Sequence, residues 1–400
     1  MSVSETQKWL YSLWTFPVWH FLLFGSALFW IDLPVIQTFA HLIAVSLPVG
    51  LALIFFYRIP PLLKVNRKHF QFPDLKMRST ATISLMLFVF LSVVKWFLLD
   101  DFRYETRMTG FSSSLFALNY SSWFLLGFGF VSVLKLKKKS IIFLTLCAIL
   151  AELFFIILTG VRQDLLLFLL LLILIVLFNN PRLFTVKRIS IAALFFLVVL
   201  MLMLFSRTQR VDSQVTFQNE LTQVSSYISK SAERIYAEPI AFSKVISMTP
   251  DQVDFVSSEQ FISSLKTAFT PRFLDKTKPE LRPGNEFYQS YFSQEDEKSH
   301  ISYPTGIFTD TYRVWGDWSP LSTFCFSVVA VFFWWLIVQS GVPVWLGSFI
   351  FISELAVGNH IPFWLTGWLR LLILALIILL VLGSVQKIIE STFYSQQSKQ

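Results

Sequence analysis

The sequence is dominated by uninterrupted apolar runs that are long enough to cross a lipid bilayer as helices. We identify ten such runs, at about residues 10–31, 35–57, 80–99, 113–134, 140–158, 165–180, 189–205, 319–338, 344–357 and 367–385. A spanning helix needs about 20 mostly apolar residues, because it crosses roughly 30 Å of hydrocarbon and must satisfy its backbone polar groups internally. The runs therefore predict an all-α integral membrane protein with about ten transmembrane helices.

The content of charged residues excludes the soluble alternatives. Only 14% of the 400 residues are Asp, Glu, Lys or Arg, whereas soluble domains carry about 25%. A chain with so few charges cannot cover itself with polar surface in water. Its 17% aromatic content also differs from that of disordered proteins, which are poor in aromatic residues.

The basic residues predict how the spans are oriented. Lys and Arg are concentrated in three connections, 58–78, 135–139 and 182–188, which alternate with connections that contain few of them. Cytoplasmic loops carry an excess of Lys and Arg, so we place these connections and both termini in the cytoplasm. The formal net charge of +8 is then a signal of topology, and we expect no nucleic-acid partner.

One connection is too long to be a simple link between two spans. Residues 206–318 fall on the outer face and separate two membrane segments, 1–205 and 319–400. Loops longer than about 15 residues are usually functional or disordered. Apolar residues at helical spacing predict an amphipathic helix over about 217–237, ended or kinked by Pro239. A second helix is predicted to start with Ser258 as its N-cap, so the loop is expected to be partly helical.

Few ionisable side chains fall inside the apolar runs, and each is a functional candidate because a charge at bilayer depth is costly. They are Lys95, Glu152, Glu354 and Arg370. Lys95 and Arg370 lie near span ends, where snorkelling to the interface is the simpler interpretation. Glu152 lies deeper, and the sequence leaves open whether it pairs with a basic group of another span or has a functional role.

Arginines on the outer side are candidate ligands for phosphate groups. Arg162 follows Thr159-Gly160-Val161 in a tight hairpin and begins the next span. An arginine at a helix N-terminus suits a phosphate, although pairing with Asp164 or with lipid head groups is the alternative. Other outer arginines have aromatic or proline neighbours, as in Pro271-Arg272-Phe273 and Tyr312-Arg313-Val314-Trp315.

The histidines lack metal-ligand spacing, so we expect neither a metal nor another cofactor. His20 and His41 fall inside spans one and two, where they are expected to be core or interfacial residues, and His360 falls at the outer end of span nine. His300 lies in the long loop among arginines. This setting suits a general base, and a structural role is the alternative.

The layout of nearly the whole chain resembles that of the Wzy-type oligosaccharide repeat-unit polymerases, the group of the O-antigen and enterobacterial common antigen polymerases. The likeness lies in the number of spans, the large late outer loop and several short segments. These segments are Thr159-Gly160-Val161-Arg162, Pro271-Arg272-Phe273-Leu274 with Lys278-Pro279, Gly284-Asn285-Glu286-Phe287, His300, Tyr303-Pro304-Thr305-Gly306 and Tyr312–Gly316. The resemblance implies a glycosyltransferase of the bacterial inner membrane whose long loop is periplasmic.

The reaction that the resemblance implies joins two lipid-linked glycans. An acceptor hydroxyl on one undecaprenyl-diphosphate-linked repeat unit attacks the anomeric carbon of a growing glycan, and the lipid diphosphate of that glycan leaves. The leaving group requires cationic ligands, and the acceptor hydroxyl requires a general base. No metal is implied, and the implied partners are the lipid-linked oligosaccharide, membrane lipid and a chain-length regulator protein.

Under this resemblance the polar residues of the outer side take three roles. The expected diphosphate ligands are Arg162 and Arg272, followed by Arg234, Arg282 and Arg313. The expected general base is His300, with Glu286 or Asp310 as substitutes. The side chains expected to bind or stack on sugar are Tyr303 and Tyr312.

Two other functions fit the same layout. An O-antigen ligase, which moves the lipid-linked glycan to a different acceptor, also has a large late loop with Arg and His. A non-enzymatic flippase or transporter is the other alternative. Transporters commonly contain spans broken by Gly or Pro, and the 14 glycines of this chain make that class less favoured.

Overall fold

The computed structural model describes residues 5–59, 77–102, 113–136, 138–159, 161–180, 236–270, 283–292, 305–356 and 360–397. Within these ranges the chain is helical and contains no β-strand. The helices are α1 Glu5–Ala27, α2 Val35–Arg58, α3 Met77–Phe97, α4 Leu99–Phe102, α5 Ser113–Leu136, α6 Lys139–Thr159, α7 Arg162–Asn179, α8 Ala237–Met248, α9 Ser258–Phe269, α10 Pro283–Tyr291, α11 Gly306–Trp315, α12 Ser319–Gln339, α13 Val344–Ala356 and α14 Ile361–Gln397.

Six stretches of helix in the described part are long and apolar enough to cross a membrane. They are Val35–Arg58, Ser79–Phe97, Leu115–Leu136, Lys139–Thr159, Gly306–Gln339 and Ile361–Ile389. Two shorter apolar helices, Gln163–Asn179 and Val344–Glu354, coincide with other predicted spans. The run 189–205 lies outside the described residues. These helices are compatible with a multi-pass membrane protein, and the all-α class is confirmed for the described part.

The long connection between residues 206 and 318 contains short helices where the structure describes it. The predicted helix over about 217–237 lies almost wholly outside the described residues. Pro239 lies in the first turn of α8, where a missing N–H costs no hydrogen bond, so it begins a helix and does not end one. α9 begins at Ser258 as predicted, but its N-cap is Ser257, whose hydroxyl accepts from the backbone N–H of Gln260 at 3.1 Å.

The described helices belong to two compact units. The first unit comprises residues 1–64, 215–339 and 351–370, and the second comprises 65–214, 340–350 and 371–400. In the first unit, α2 packs along α12 and α1, and α11 packs against both α8 and α12. Trp334 is fully buried there, and its indole N–H donates to the hydroxyl of Ser12 at 2.9 Å. The polar atom of this large side chain is therefore satisfied inside an apolar core.

An aromatic layer in the first unit surrounds α11. His20 and His41 are both buried, with their rings 5.3 and 5.0 Å from the ring of Phe308. Each histidine contacts a carbonyl of its own helix, Phe16 at 2.9 Å and Gln37 at 2.8 Å respectively. The prediction that His20 and His41 are core residues is confirmed.

In the second unit, α5 is the central helix, and α3, α6 and α7 pack against it. The contact with α3 is close, since a Cβ added to Gly129 would lie 2.8 Å from Cδ2 of Leu85. Gly127 is equally tight, because a Cβ there would lie 2.8 Å from the ring of Trp345. The two glycines let large neighbouring side chains approach the backbone of α5.

Candidate functional site

The candidate site is built on one face of α11 in the first unit. Gly306, Asp310 and Arg313 are spaced by four and three residues, so they lie along a single stripe of the helix. The backbone of Gly306 has a φ of +75°, which a residue with a side chain rarely adopts. The tetrapeptide Tyr303-Pro304-Thr305-Gly306 of the sequence analysis thus leads directly into this helix.

The carboxylate of Asp310 is buried and held by three donors. The hydroxyl of Thr305 donates to Oδ1 at 2.7 Å, and Nδ1 of His360 lies 3.0 Å from the same oxygen. The backbone N–H of Ile361 donates to Oδ2 at 2.9 Å. Ile361 is the first residue of α14, so the carboxylate also caps a helix N-terminus, where a negative charge is favourable.

Nδ1 of His360 contacts both Oδ1 of Asp310 and the hydroxyl of Thr305, the latter at 2.9 Å. Because a carboxylate oxygen only accepts hydrogen bonds, the contact with Asp310 assigns a proton to Nδ1, and in a neutral ring Nε2 then has a free lone pair. Nε2 is buried and has no hydrogen-bond partner among the described residues. An unsatisfied buried polar atom costs about 1–3 kcal/mol, so this nitrogen is a place where an outside donor would be favoured.

Glu238 brings a second carboxyl group to the stripe. It belongs to α8, is 8% exposed, and packs so closely on Gly306 that a Cβ there would overlap its carboxyl group. Burial, reinforced by the negative charge of Asp310, raises the pKa of Glu238 to about 8. The side chain is therefore mostly uncharged at pH 7, because burial penalises the ionised form.

Arg313 supplies the positive charge of the site. Its guanidinium lies 5.1 Å from the ring centre of Phe287 and 5.6 Å from that of Tyr291, both on α10. These cation–π contacts hold the group without using its N–H donors. The Nε atom is buried and has no hydrogen-bond partner within the described part of the chain.

The site therefore combines four groups with different chemistry around one buried carboxylate. Asp310 is fixed by its hydrogen bonds, and burial favours the uncharged form of Glu238. Nε2 of His360 and Nε of Arg313 are buried without a hydrogen-bond partner among the described residues. The negative charge of Asp310 penalises ionisation of Glu238, and the guanidinium of Arg313 interacts electrostatically with Asp310. Such a set can take a proton from a hydroxyl and bind an anion.

Two of the residues expected from the sequence lie together on the stripe of α11, and two others lie outside this stripe. Asp310 and Arg313 share the stripe of α11. Glu286 lies on the exposed side of α10 and lines an open cleft with Gln252–Asp254, Gln289 and Ser290. Tyr312 is buried, with its ring 6.2 Å from Phe242 and 6.4 Å from Phe255.

The remaining expected residues are not described at the level of their side chains. Arg162 begins α7, as predicted from its position after Gly160, but only its backbone is described. The others lie outside the described residues; they are His300, Arg272, Arg234, Arg282 and Tyr303. Their roles stay predictions.

Sequence reasoning missed two members of the site, Glu238 and His360. Glu238 sits in a mixed polar segment with no motif of its own, and His360 is 50 residues from Asp310 along the chain. The one local signal was Thr305-Gly306, since a glycine that follows a hydroxyl residue and opens a helix indicates a close approach to its backbone.

The second unit contains a separate buried ion pair. Lys95 on α3 contacts Glu152 on α6, and its ammonium also donates to the hydroxyl of Ser122 at 3.1 Å. The indole N–H of Trp123 donates to the same oxygen of Glu152 at 2.6 Å. Lys95 is only 1% exposed, so the prediction that it snorkels is wrong, whereas the interpretation of Glu152 as one half of an ion pair is confirmed.

The other two ionisable residues of the apolar runs differ from this pair. Arg370 is exposed on α14, and its location at the membrane interface stays a prediction. Glu354 is buried on α13, and a Cβ on Gly367 would overlap its carboxylate. No group of three or more His, Cys, Asp or Glu side chains that could hold a metal ion occurs among the described residues.

The fold and the site define a class: an all-helical protein, compatible with a multi-pass membrane protein, that carries a buried Asp–His pair beside a cation and a neutral acid. Comparison of the chain with protein-family models, with curated proteins and with solved structures finds no match. A function for the chain thus has to be argued from its own residues.

Proposed function

We propose that this protein polymerises undecaprenyl-diphosphate-linked oligosaccharide repeat units at the outer face of the bacterial inner membrane. The observation that carries the proposal is the oriented imidazole of His360, whose Nε2 is unsatisfied and whose Nδ1 is held by Asp310. A glycosyl transfer to a sugar hydroxyl needs such a base, and an adjacent cation to bind the departing diphosphate.

In the proposed reaction, Nε2 of His360 accepts the proton of the acceptor hydroxyl as its oxygen attacks the anomeric carbon. The Asp310 carboxylate keeps the ring in the required tautomer and stabilises the imidazolium that forms. Asp310 is then a positioning residue, because its oxygens already accept from Thr305, His360 and Ile361. His300 stays the base expected from the family resemblance, and substitution of each histidine decides between the two.

Arg313 is the proposed ligand of the departing lipid diphosphate. A guanidinium binds phosphate oxygens in a bidentate manner. Nε of Arg313 has no hydrogen-bond partner among the described residues, and the guanidinium lies over two aromatic rings. Arg162 and Arg272 are proposed as further ligands. A chain-length regulator protein is a proposed partner, and the resemblance alone supports it.

The proposed topology has ten spans, both termini in the cytoplasm and residues 206–318 in the periplasm. It is tested by labelling single cysteines in intact cells with a membrane-impermeant thiol reagent, after replacing Cys147 and Cys325. Glu259→Cys should be labelled in intact cells, whereas Lys139→Cys should be labelled only in opened cells. Both parent side chains are exposed in the structure, so a reversed pattern would contradict the orientation.

Gene deletion tests the proposed activity. We expect lipid carriers and cores that bear a single repeat unit and no glycan ladder, and reintroduction of the wild-type gene should restore the ladder. Long glycans that accumulate on the lipid carrier would instead identify a ligase. A repeat unit that stays on the cytoplasmic side would identify a flippase, and an unchanged ladder would exclude all three.

A further inference from the structure

We propose that Glu238 is a ligand of the lipid-linked diphosphate and acts as a neutral carboxylic acid that donates its O–H to a phosphate oxygen. The nature of the ligand rests on the proposed function. The position and chemistry of Glu238 rest on the structure alone. Nothing in the sequence distinguished this residue, and the reaction described above does not use it.

The carboxyl group of Glu238 lies at one end of the polar stripe of α11. It lies over Gly306, one turn of α11 before Asp310, while Arg313 lies one turn beyond. Gly306 and Arg313 are seven residues apart, which corresponds to about 10 Å along a helix. Two long side chains that approach the same stripe from its ends can enclose an anion with two phosphoryl groups.

The carboxyl group of Glu238 also lacks a hydrogen-bond partner in the described part of the chain. Glu238 is 8% exposed, and no hydrogen bond joins its carboxyl group to another described residue. A buried polar group without a hydrogen bond is unfavourable. A phosphate oxygen would accept the proton of a neutral carboxyl group and remove this cost.

The charge state of Glu238 decides whether it repels or binds an anion. An ionised Glu238 would repel a diphosphate, whereas a neutral one donates a hydrogen bond to it, as a carboxylic acid kept neutral by an apolar site can do. Burial and the charge of Asp310 both favour the neutral form and raise the pKa of Glu238 to about 8. With Asp310 ionised and Arg313 protonated, a neutral Glu238 leaves these three groups without net charge.

Charged and titratable groups surround α8. They are Lys244 on α8 itself, Asp310 and Arg313 on α11, Glu286 on α10, His360 before α14, His20 on α1, His41 on α2 and Asp32 between α1 and α2. Lys244 is six residues from Glu238, and its ammonium lies 5.9 Å from the ring centre of Phe292. Of these groups, Asp310 acts together with burial to raise the pKa of Glu238.

The test is the affinity of the purified full-length protein for inorganic pyrophosphate and for farnesyl diphosphate between pH 6 and 9.5. Wild type and Glu238→Gln are compared at each pH, so that titration of the ligand itself cancels in their ratio. Gln keeps the size of the side chain and a neutral N–H donor. We expect similar affinities below pH 7.5, and a ratio of wild-type to variant affinity that falls up to tenfold per pH unit above pH 8.

Two further variants and the comparison of the two ligands complete the test. Glu238→Ala should bind about tenfold more weakly than wild type at pH 6.5, and the ratio of wild-type to Ala affinity should fall above pH 8 as it does for Gln, because neither variant has a titrating group at this position. Glu259→Gln, which changes an exposed glutamate, should behave as wild type. Binding of farnesyl diphosphate but not pyrophosphate identifies a lipid-linked ligand, and binding of both identifies the diphosphate as sufficient. A pH-independent ratio, or a tenfold loss in Glu238→Gln at pH 6.5, overturns the proposal.

The proposed polymerase function and the proposed role of Glu238 can be disproved independently. If the ratio has the expected pH dependence but gene deletion leaves the glycan ladder intact, the diphosphate site stands and the polymerase function falls. If deletion abolishes the ladder but the ratio is flat with pH, the function stands and the role of Glu238 falls.

Discussion

Nδ1 of His360 lies 3.0 Å from Oδ1 of Asp310, although the two residues are 50 positions apart in the chain. Asp310 lies on the short helix that precedes α12, and His360 immediately precedes α14. One contact thus joins the end of the long connection to the start of α14. An imidazole held across two elements in this way loses its orientation if either element shifts.

The first prediction concerns that base. His360→Gln should reduce the rate of repeat-unit polymerisation by about 10²–10⁴-fold, because general base catalysis contributes a factor of this size. The rate is measured with lipid-linked repeat units and protein in nanodiscs. His300→Gln is measured in parallel. If His300→Gln loses activity and His360→Gln does not, the base lies in the long loop.

Thr305 offers a matched pair of variants for the orientation of Asp310. Thr305→Ser keeps the hydroxyl that donates to Asp310 at 2.7 Å, and Thr305→Val removes it while keeping the shape. We expect Thr305→Ser to retain most of the activity and Thr305→Val to lose about tenfold in kcat with little change in KM. Equal rates for the two variants would show that the hydroxyl does not position the site.

Arg313 should contribute to binding of the lipid diphosphate. Arg313→Ala should weaken the binding of farnesyl diphosphate by at least about tenfold, since charge-assisted hydrogen bonds to phosphate are worth about 1.5–3 kcal/mol. Arg313→Lys should restore only part of this, because an ammonium cannot bind in a bidentate manner. Lys244→Ala removes another cation that lies over an aromatic ring and is the control; an equal loss there would indicate a general effect of charge.

Sequence reasoning recovered the fold better than the site, for a physical reason. An apolar run such as 35–57 is decided by local hydropathy, and α2 spans Val35–Arg58. The partners of a buried charge depend on packing between distant helices. Spacing alone therefore left Glu152 with two interpretations, and it placed Lys95 at the interface although Lys95 is buried against Glu152.

In the candidate site, too, local sequence predicts some members, and packing between distant segments decides the others. Asp310 and Arg313 lie near a segment that the sequence marks, and they share a face of α11. Glu238 and His360 join the site only through tertiary packing, so no periodicity marks them. The prediction that Pro239 ends a helix is wrong because a proline in the first turn and a proline after the last turn look alike in sequence.

The backbone of Gly306 should tolerate no side chain. Gly306→Ala adds a Cβ that overlaps the carboxyl group of Glu238, at a φ of +75°. We expect a loss of about 1–3 kcal/mol in the free energy of unfolding together with loss of activity, measured by thermal unfolding in detergent. Gly25→Ala is the control, because a Cβ there meets no atom within 4 Å. Equal melting temperatures for the two variants would contradict the close approach at Gly306.

Glu238 should also make stability depend on pH. Its pKa is about 8 in the folded protein against an ordinary value of 4.5, so the folded state binds the extra proton between these pH values. The stability that Glu238 contributes is complete below pH 4.5 and is lost as the pH rises towards 8, at no more than about 1.4 kcal/mol per unit. Relative to Glu238→Gln, the wild type should thus melt at progressively lower temperature from pH 5 to 8. A constant difference would show that Glu238 titrates normally.

The last prediction concerns the buried pair of the second unit. Glu152→Gln leaves the ammonium of Lys95 buried without its counter-ion, and we expect a loss of about 3–5 kcal/mol in the free energy of unfolding. Replacing both, with Lys95→Met and Glu152→Leu, removes both charges and should recover most of that loss. Lys139→Met, which changes an exposed lysine at the start of α6, should leave the melting temperature unchanged. If the double variant is no more stable than Glu152→Gln, the two charges have a role beyond pairing with each other. If the double variant also polymerises at the wild-type rate, that role lies outside catalysis.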